Sequence, residues 1–208
     1  MRNSSFLLCV VLCVGLIAAP AWASPLLSGV SALAPAEPDP LGGVAVAGPL
    51  VSPLVGARFT ATITSTVIAG DAANPFPGGL TFVYQVANSP VSIDALGRVT
   101  IDGYTGWLTD ASFQPGPGLP PATMDRSTTG DVVGFSFVEP PLGPTALVPG
   151  STSMSLVVQT NAPVFSINVG NVIDGSIAAG PVYAPNPVPE PGAAMLLLGG
   201  VALLMRRR

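Results

Sequence analysis

The chain has 208 residues, of which 9% are charged, with seven basic side chains against eleven acidic ones, two cysteines and no histidine; that leaves room for one ordinary domain plus processed ends. Lysine is absent as well. Between Ser24 and Val188 three arginines (Arg58, Arg98, Arg126) face ten acids, a net charge of −7, so nucleic acid binding is excluded for want of a basic patch and an anionic membrane surface is disfavoured.

The first residues read MRNSSFLLCVVLCVGLIAAPAWASP. Arg2 supplies a positive start, Phe6 to Ala19 an apolar run, and Ala21-Trp22-Ala23 the small-residue site that a signal peptidase accepts, so residues 1–23 are expected to form a secretory signal helix removed before Ser24. The run is too short to span a bilayer, which takes about 20 residues, and Pro20 ends it. Leu8 precedes Cys9 and Leu12 precedes Cys13, where a lipoprotein signal requires a small residue. With both cysteines in this segment, the exported chain has no disulfide framework and no thiolate chemistry.

Residues 24–56 are rich in Pro, Gly, Ala and Ser without a clear period, and repeated prolines deny both helix and central strand. A largely irregular lead-in is expected; its only stretch of strand character is Val44 to Val46. At Arg58 the register changes. RFTATITSTVIAG puts Phe59, Ala61, Ile63, Ser65 and Val67 on one face and Thr60, Thr62, Thr64 and Thr66 on the other, the period of a half-buried strand. After the turn residues DAANPFPGG, LTFVYQVAN alternates again, with Leu80, Phe82, Tyr84 and Val86 together. Shorter strand candidates follow at Ser92–Ile101, Trp107–Ala111, Val132–Val138, Ser151–Thr160, Phe165–Val169 and Val172–Ala178, separated by the loops QPGPGLPPATMDRS and EPPLGPTALVPG. Many short strands without a helical period predict an all-β sandwich of antiparallel strands.

The exported part offers little chemistry. Without His, Cys or Lys, the Ser-His-Asp and Cys-His arrangements, histidine metal sites, Schiff bases and the Walker A loop are excluded. Asp102 and Asp110, flanking Tyr104 and Trp107 in IDGYTGWLTD, are the best pair for glycoside hydrolysis, but a turn at Asp102-Gly103 and a loop or cap role for Asp110 explain them more simply. Tyr104 and Trp107 offer rings for sugar stacking, although aromatics at this spacing usually belong to a core. Acidic loops suit calcium, yet no D-x-[DN]-x-[DN]-G loop occurs and the aspartates are scattered, so neither metal nor cofactor is expected.

The C-terminal VPEPGAAMLLLGGVALLMRRR carries a second apolar run. Gly192 to Met205 would form a helix of about 21 Å against a hydrocarbon core of about 30 Å, a short transmembrane span that snorkelling by Arg206, Arg207 and Arg208 extends; those arginines belong on the cytoplasmic side. Ahead of it, Pro189, Glu190 and Pro191 must be extended, because each proline fixes φ and turns its predecessor out of the helical region. Motif, apolar stretch and arginine cluster, in that order, resemble the PEP-CTERM sorting signal of exported proteins of Gram-negative bacteria. The resemblance covers about the last 22 residues. It implies recognition of the tail by exosortase, an integral membrane enzyme with a cysteine-protease-like site, with an inner-membrane precursor and then delivery to the cell surface or extracellular matrix. NPFPGGLTFVYQV, DRSTTGDVVGFSF and PGSTSMSLVVQTNAP also look like β-rich domains that recur with this tail, a weaker likeness that implies no activity. Association with exopolysaccharide-producing bacteria implies a non-enzymatic surface or matrix role; a carbohydrate-binding or carbohydrate-cleaving module of the same matrix is the rival. The expected organisation is signal peptide 1–23, lead-in 24–56, β-sandwich 57–180, Pro-rich linker 181–188 and sorting signal 189–208.

Overall fold

The computed structural model describes residues 25–137 and 146–186. These residues form strands β1 (Ser31–Leu33), β2 (Val44–Val55), β3 (Thr60–Ala69), β4 (Leu80–Asn88), β5 (Arg98–Ile101), β6 (Thr109–Gln114), β7 (Thr123–Arg126), β8 (Val133–Ser136), β9 (Ser155–Thr160), β10 (Phe165–Asp174) and β11 (Ser176–Pro185), with no helix among them. Sheet A runs β1-β7-β8-β5-β10-β11 and sheet B runs β2-β3-β4-β9-β6; every pairing between these strands is antiparallel. The expected all-β class holds. The signal helix and the C-terminal transmembrane helix expected from the sequence lie outside the described residues.

The core follows from side-chain alternation. Ala61, Ile63 and Val67 of β3 and Phe82, Tyr84 and Val86 of β4 point inward and meet Val99, Ile101, Val133, Phe135, Val172 and Val182 of sheet A in one buried cluster. Phe82 packs edge-on against Tyr104, ring centroids 6.3 Å apart.

The lead-in departs from its expected irregularity. It carries β1 and the whole of β2, which pairs with β3 from Val44↔Ala69 to Val55↔Thr60 and breaks register twice between Ala45 and Leu50. Pro49 and Pro53 survive there because β2 is an edge strand, hydrogen-bonded on one side only. β7 likewise lies within a stretch expected to be loop, while Trp107 precedes β6 and sits in a turn. The separate strands expected at Phe165–Val169 and Val172–Ala178 are one hairpin, β10–β11, turning at Gly175 with φ 60°. Its second strand runs to Pro185, into the expected linker.

β11 is one edge of sheet A, and it is folded in against sheet B. Ser52 donates its hydroxyl to the Pro181 carbonyl, the Tyr183 amide donates to Ser65 Oγ at 3.0 Å, and Tyr84 donates to the Tyr183 carbonyl at 2.6 Å. Pro181 and Pro185 have no amide to satisfy. The free edge of sheet A is thus satisfied by side chains from the opposite sheet instead of standing open to another chain.

Candidate functional site

The residues expected to direct processing, namely Ala21, Ala23 and Ser24 at one end and Pro189, Glu190, Pro191, Arg206, Arg207 and Arg208 at the other, lie outside the described residues. What the structure gives is the geometry at which the folded body meets those segments. Both ends converge on one short loop. The Leu26 amide donates to the Thr109 carbonyl at 2.7 Å, and Trp107 Nε1 donates to the Asn186 carbonyl at 3.0 Å. The Asn186 amide donates to the Val164 carbonyl at 3.1 Å, and Asn168 Nδ2 to the Pro185 carbonyl at 3.1 Å. The first and last described segments therefore leave the sandwich side by side.

Arg126 holds that loop in place. It is 7% exposed, and its guanidinium donates to four backbone carbonyls: Gly130 (2.9 Å), Leu26 (3.2 Å), Tyr104 (2.8 Å) and Trp107 (2.8 Å). Burial lowers its pKa from the ordinary arginine value. With its donors spread over four carbonyls of three segments, Arg126 ties the first described residues, the IDGYTGW loop and the turn after β7 into one end of the molecule. In the sequence nothing marks it beyond its being one of three arginines in the body.

The candidate carboxylate pair is split between the sheets. Asp102 follows β5 in sheet A, where burial and then the charge of Asp131 raise its pKa. Asp110 lies in β6 of sheet B, 4% exposed, and burial chiefly, with Asp39 adding to it, pushes it up to about 6. Tyr104, which the stacking surface would require, is fully buried; its hydroxyl lies 2.8 Å from that of Tyr84, and burial raises the pKa of both. The two aromatic rings therefore do not form a platform.

A second acidic group was not foreseen. Thr81, Gln159 and Asp110 stand side by side across β4, β9 and β6 on the outer surface of sheet B. Asp71 reaches over them, accepting from Thr81 Oγ1 (2.7 Å) and Gln159 Nε2 (2.8 Å) while its other oxygen accepts the amides of Leu41 (2.8 Å) and Ala73 (3.0 Å). The strap 35–41 closes this surface: Phe113 and Glu37 donate amides to the carbonyls of Pro35 and Phe113, both at 3.0 Å, and the strap's own Asp39 is only 4% exposed. Burial, a side-chain hydrogen bond with Glu37 and the charges of Glu37 and Asp71 raise Asp39 to about 7. These neighbouring carboxyls, with Asp39 raised to about 7 and Asp110 to about 6, make a lock on the strap whose strength depends on pH. Only the Asx turn at Asp71 was legible in the sequence, as turn chemistry.

Among the described residues no group of three or more His, Cys, Asp or Glu is arranged to hold a metal ion, and no helix is long and apolar enough to cross a membrane. No protein-family model, curated protein or solved structure matches the chain.

Proposed function

We propose that this chain is an exported, non-enzymatic component of a cell surface or extracellular matrix, directed there by its tail. In this reading signal peptidase releases Ser24 onward, Gly192–Met205 anchors the precursor in the inner membrane with Arg206–Arg208 inside, and exosortase engages Pro189-Glu190-Pro191.

The observation that carries the reading is the exit geometry. Asn186 is pinned by Trp107 and Val164 at the surface, and Pro189 follows only three positions later, within about 11 Å of it even when fully extended. In this reading the Pro-Glu-Pro motif follows closely on the point where the described fold ends, within reach of a processing enzyme's groove. A carbohydrate-cleaving role takes no support from Asp102 and Asp110, which face different neighbours on different sheets, nor from the buried Tyr104.

Replacing Pro189, Glu190 and Pro191 with alanines tests it. Alanine has no φ restriction and the best helix propensity, so helix should propagate outward from Gly192 and erase the extended strip while the apolar run and arginines remain. The expected result is a membrane-inserted, full-length precursor that accumulates unprocessed. Processing and delivery at the wild-type rate would overturn the proposal.

A further inference from the structure

We infer that the end of the sandwich where the first and last described residues lie, carrying Leu27, Trp107, Leu108, Val164 and Ile167, seats on the lipid surface of the membrane while the tail is in place. The inference rests on the anchor reading of residues 192–205.

Three observations carry it. The first is reach: Asn186 is held by the Trp107 indole and the Val164 carbonyl, and the apolar run begins at Gly192, six positions on, so that even a fully extended connection keeps this end within about 20 Å of the hydrocarbon. The second is chemistry. Large apolar side chains from separate segments stand exposed around the exit: Leu27 at 64%, Leu108 at 52%, Val164 at 50% and Ile167 at 64%. They are neighbours in space, because Leu26 is bonded to Thr109, Leu108 to Asn161, and Val164 to Asn186. Half-buried Trp107 lies among them with its indole nitrogen on a carbonyl, the two-natured side chain favoured where hydrocarbon meets water. The third is charge. The titratable groups nearest this end are Asp102, Asp131, the buried Asp110 and the buried Arg126, whose donors are taken up by carbonyls, so no basic group faces outward to draw an anionic headgroup. The contact is apolar, and a zwitterionic surface suits it best.

The test uses residues 24–208, the exported chain, which carries no cysteine of its own, reconstituted into phosphatidylcholine vesicles. A fluorophore is attached through Leu108→Cys or, at the opposite end of β4, through Val91→Cys, where the side chain is 81% exposed. With a quencher on the upper acyl chain, the residue-108 probe should be quenched at least about two-fold more than the residue-91 probe, and anionic lipid should reduce the difference. Leu27→Ser, Leu108→Ser and Val164→Ser together, read by a probe at Ile167→Cys, should abolish the quenching while the protein still floats with the vesicles. Equal quenching at residues 108 and 91 in a chain that floats overturns the inference and leaves the anchor standing. Failure to float overturns both. Protection of the residue-108 probe from aqueous quencher that rises with protein density, without quenching by lipid, overturns it in favour of a second copy of the chain.

Discussion

The β3–β4 pair and the β10–β11 hairpin are alike toward the core and unlike toward the outside. Both bury every second residue: Ala61, Ile63, Phe82 and Tyr84 in one, Val172, Ala178, Val182 and Ala184 in the other. Outward, β3 presents Thr60, Thr62, Thr64 and Thr66, whereas the hairpin presents Ile167, Val169, Ile177 and Pro181, with Phe165 edge-on against Tyr183 at 5.5 Å. Inward chemistry is dictated by packing, so the two agree. Outward chemistry is free to differ, and a greasy outer face is where a further contact becomes legible.

The inner faces should therefore respond to truncation in the same way. Phe82→Ala removes a fully buried ring that packs on Tyr104 and should cost about 3–5 kcal/mol, and Val182→Ala about 1.5–3 kcal/mol, in urea unfolding of the full chain in mild detergent. A cost under about 1 kcal/mol at Val182 would mean that the hairpin is not part of the same core.

The outer surface of sheet B sharpens the contrast, because its β4–β9–β6 half is covered by the strap 35–41 and its acids. Asp39 is raised to about 7 and Asp110 to about 6, so in the folded state both keep protons that the unfolded chain releases near pH 4. Their stabilising contribution is complete below the unfolded carboxylate pKa and is lost as pH rises through 6 and 7. Glu37 and Asp71 face the same cluster and supply the repulsion. Thermal unfolding should fall by about 2–4 kcal/mol equivalent between pH 4.5 and pH 7.5, less than the full shifts imply because solvent screens part of the interaction. Asp39→Asn should flatten that slope; an unchanged slope places the titration elsewhere.

The tucked-in edge of β11 is a subtler difference between the sheets. Tyr84→Phe keeps the ring in the core but leaves the Tyr183 carbonyl and the Tyr104 hydroxyl each short of a partner, at an expected cost of about 1–2 kcal/mol. Ser65→Ala, which frees the Tyr183 amide, should cost somewhat less. If both are neutral in the same unfolding assay, water reaches this edge and it is not sealed.

The same asymmetry explains what could be read from the sequence. β3 and β4 keep a period of two, apolar inward with only Ser65 breaking the run, so their bounds and inward faces are legible. The hairpin has apolar residues on both faces and Gly170 and Gly180 in its strands, so no alternation marked it as two long strands, and its turn was taken for strand interior. β2 was hidden by prolines that only an edge position tolerates, and edge position is a property of the assembled sheet. The apolar run and the Pro-Glu-Pro motif stand out in the sequence because they are local, and they lie outside the described residues. Arg126, the Thr81–Gln159–Asp110 row and the meeting of the first and last described segments at Trp107–Thr109 depend on contacts between distant segments, which no spacing encodes.

The smallest expected effect is the most informative about the outer faces. Replacing Ile167, Val169 and Ile177 together with threonine gives the hairpin the outward chemistry of β3. All three are exposed, threonine shares their β-branched preference for strands, and the inward partners Val172, Ala178 and Val182 are untouched. For the full chain in detergent the unfolding midpoint should move by no more than about 0.5 kcal/mol equivalent, the range of surface substitutions away from caps, turns and buried networks. Fully burying a large aliphatic side chain contributes about 1.5–3 kcal/mol, so a loss of several kcal/mol would show that these residues are covered in solution by another part of the chain or by a second copy. A concentration-dependent midpoint would identify the second copy, since only association makes stability depend on protein concentration. A null result at every concentration leaves the hairpin's outer face bare, an apolar surface retained without any return in folding stability.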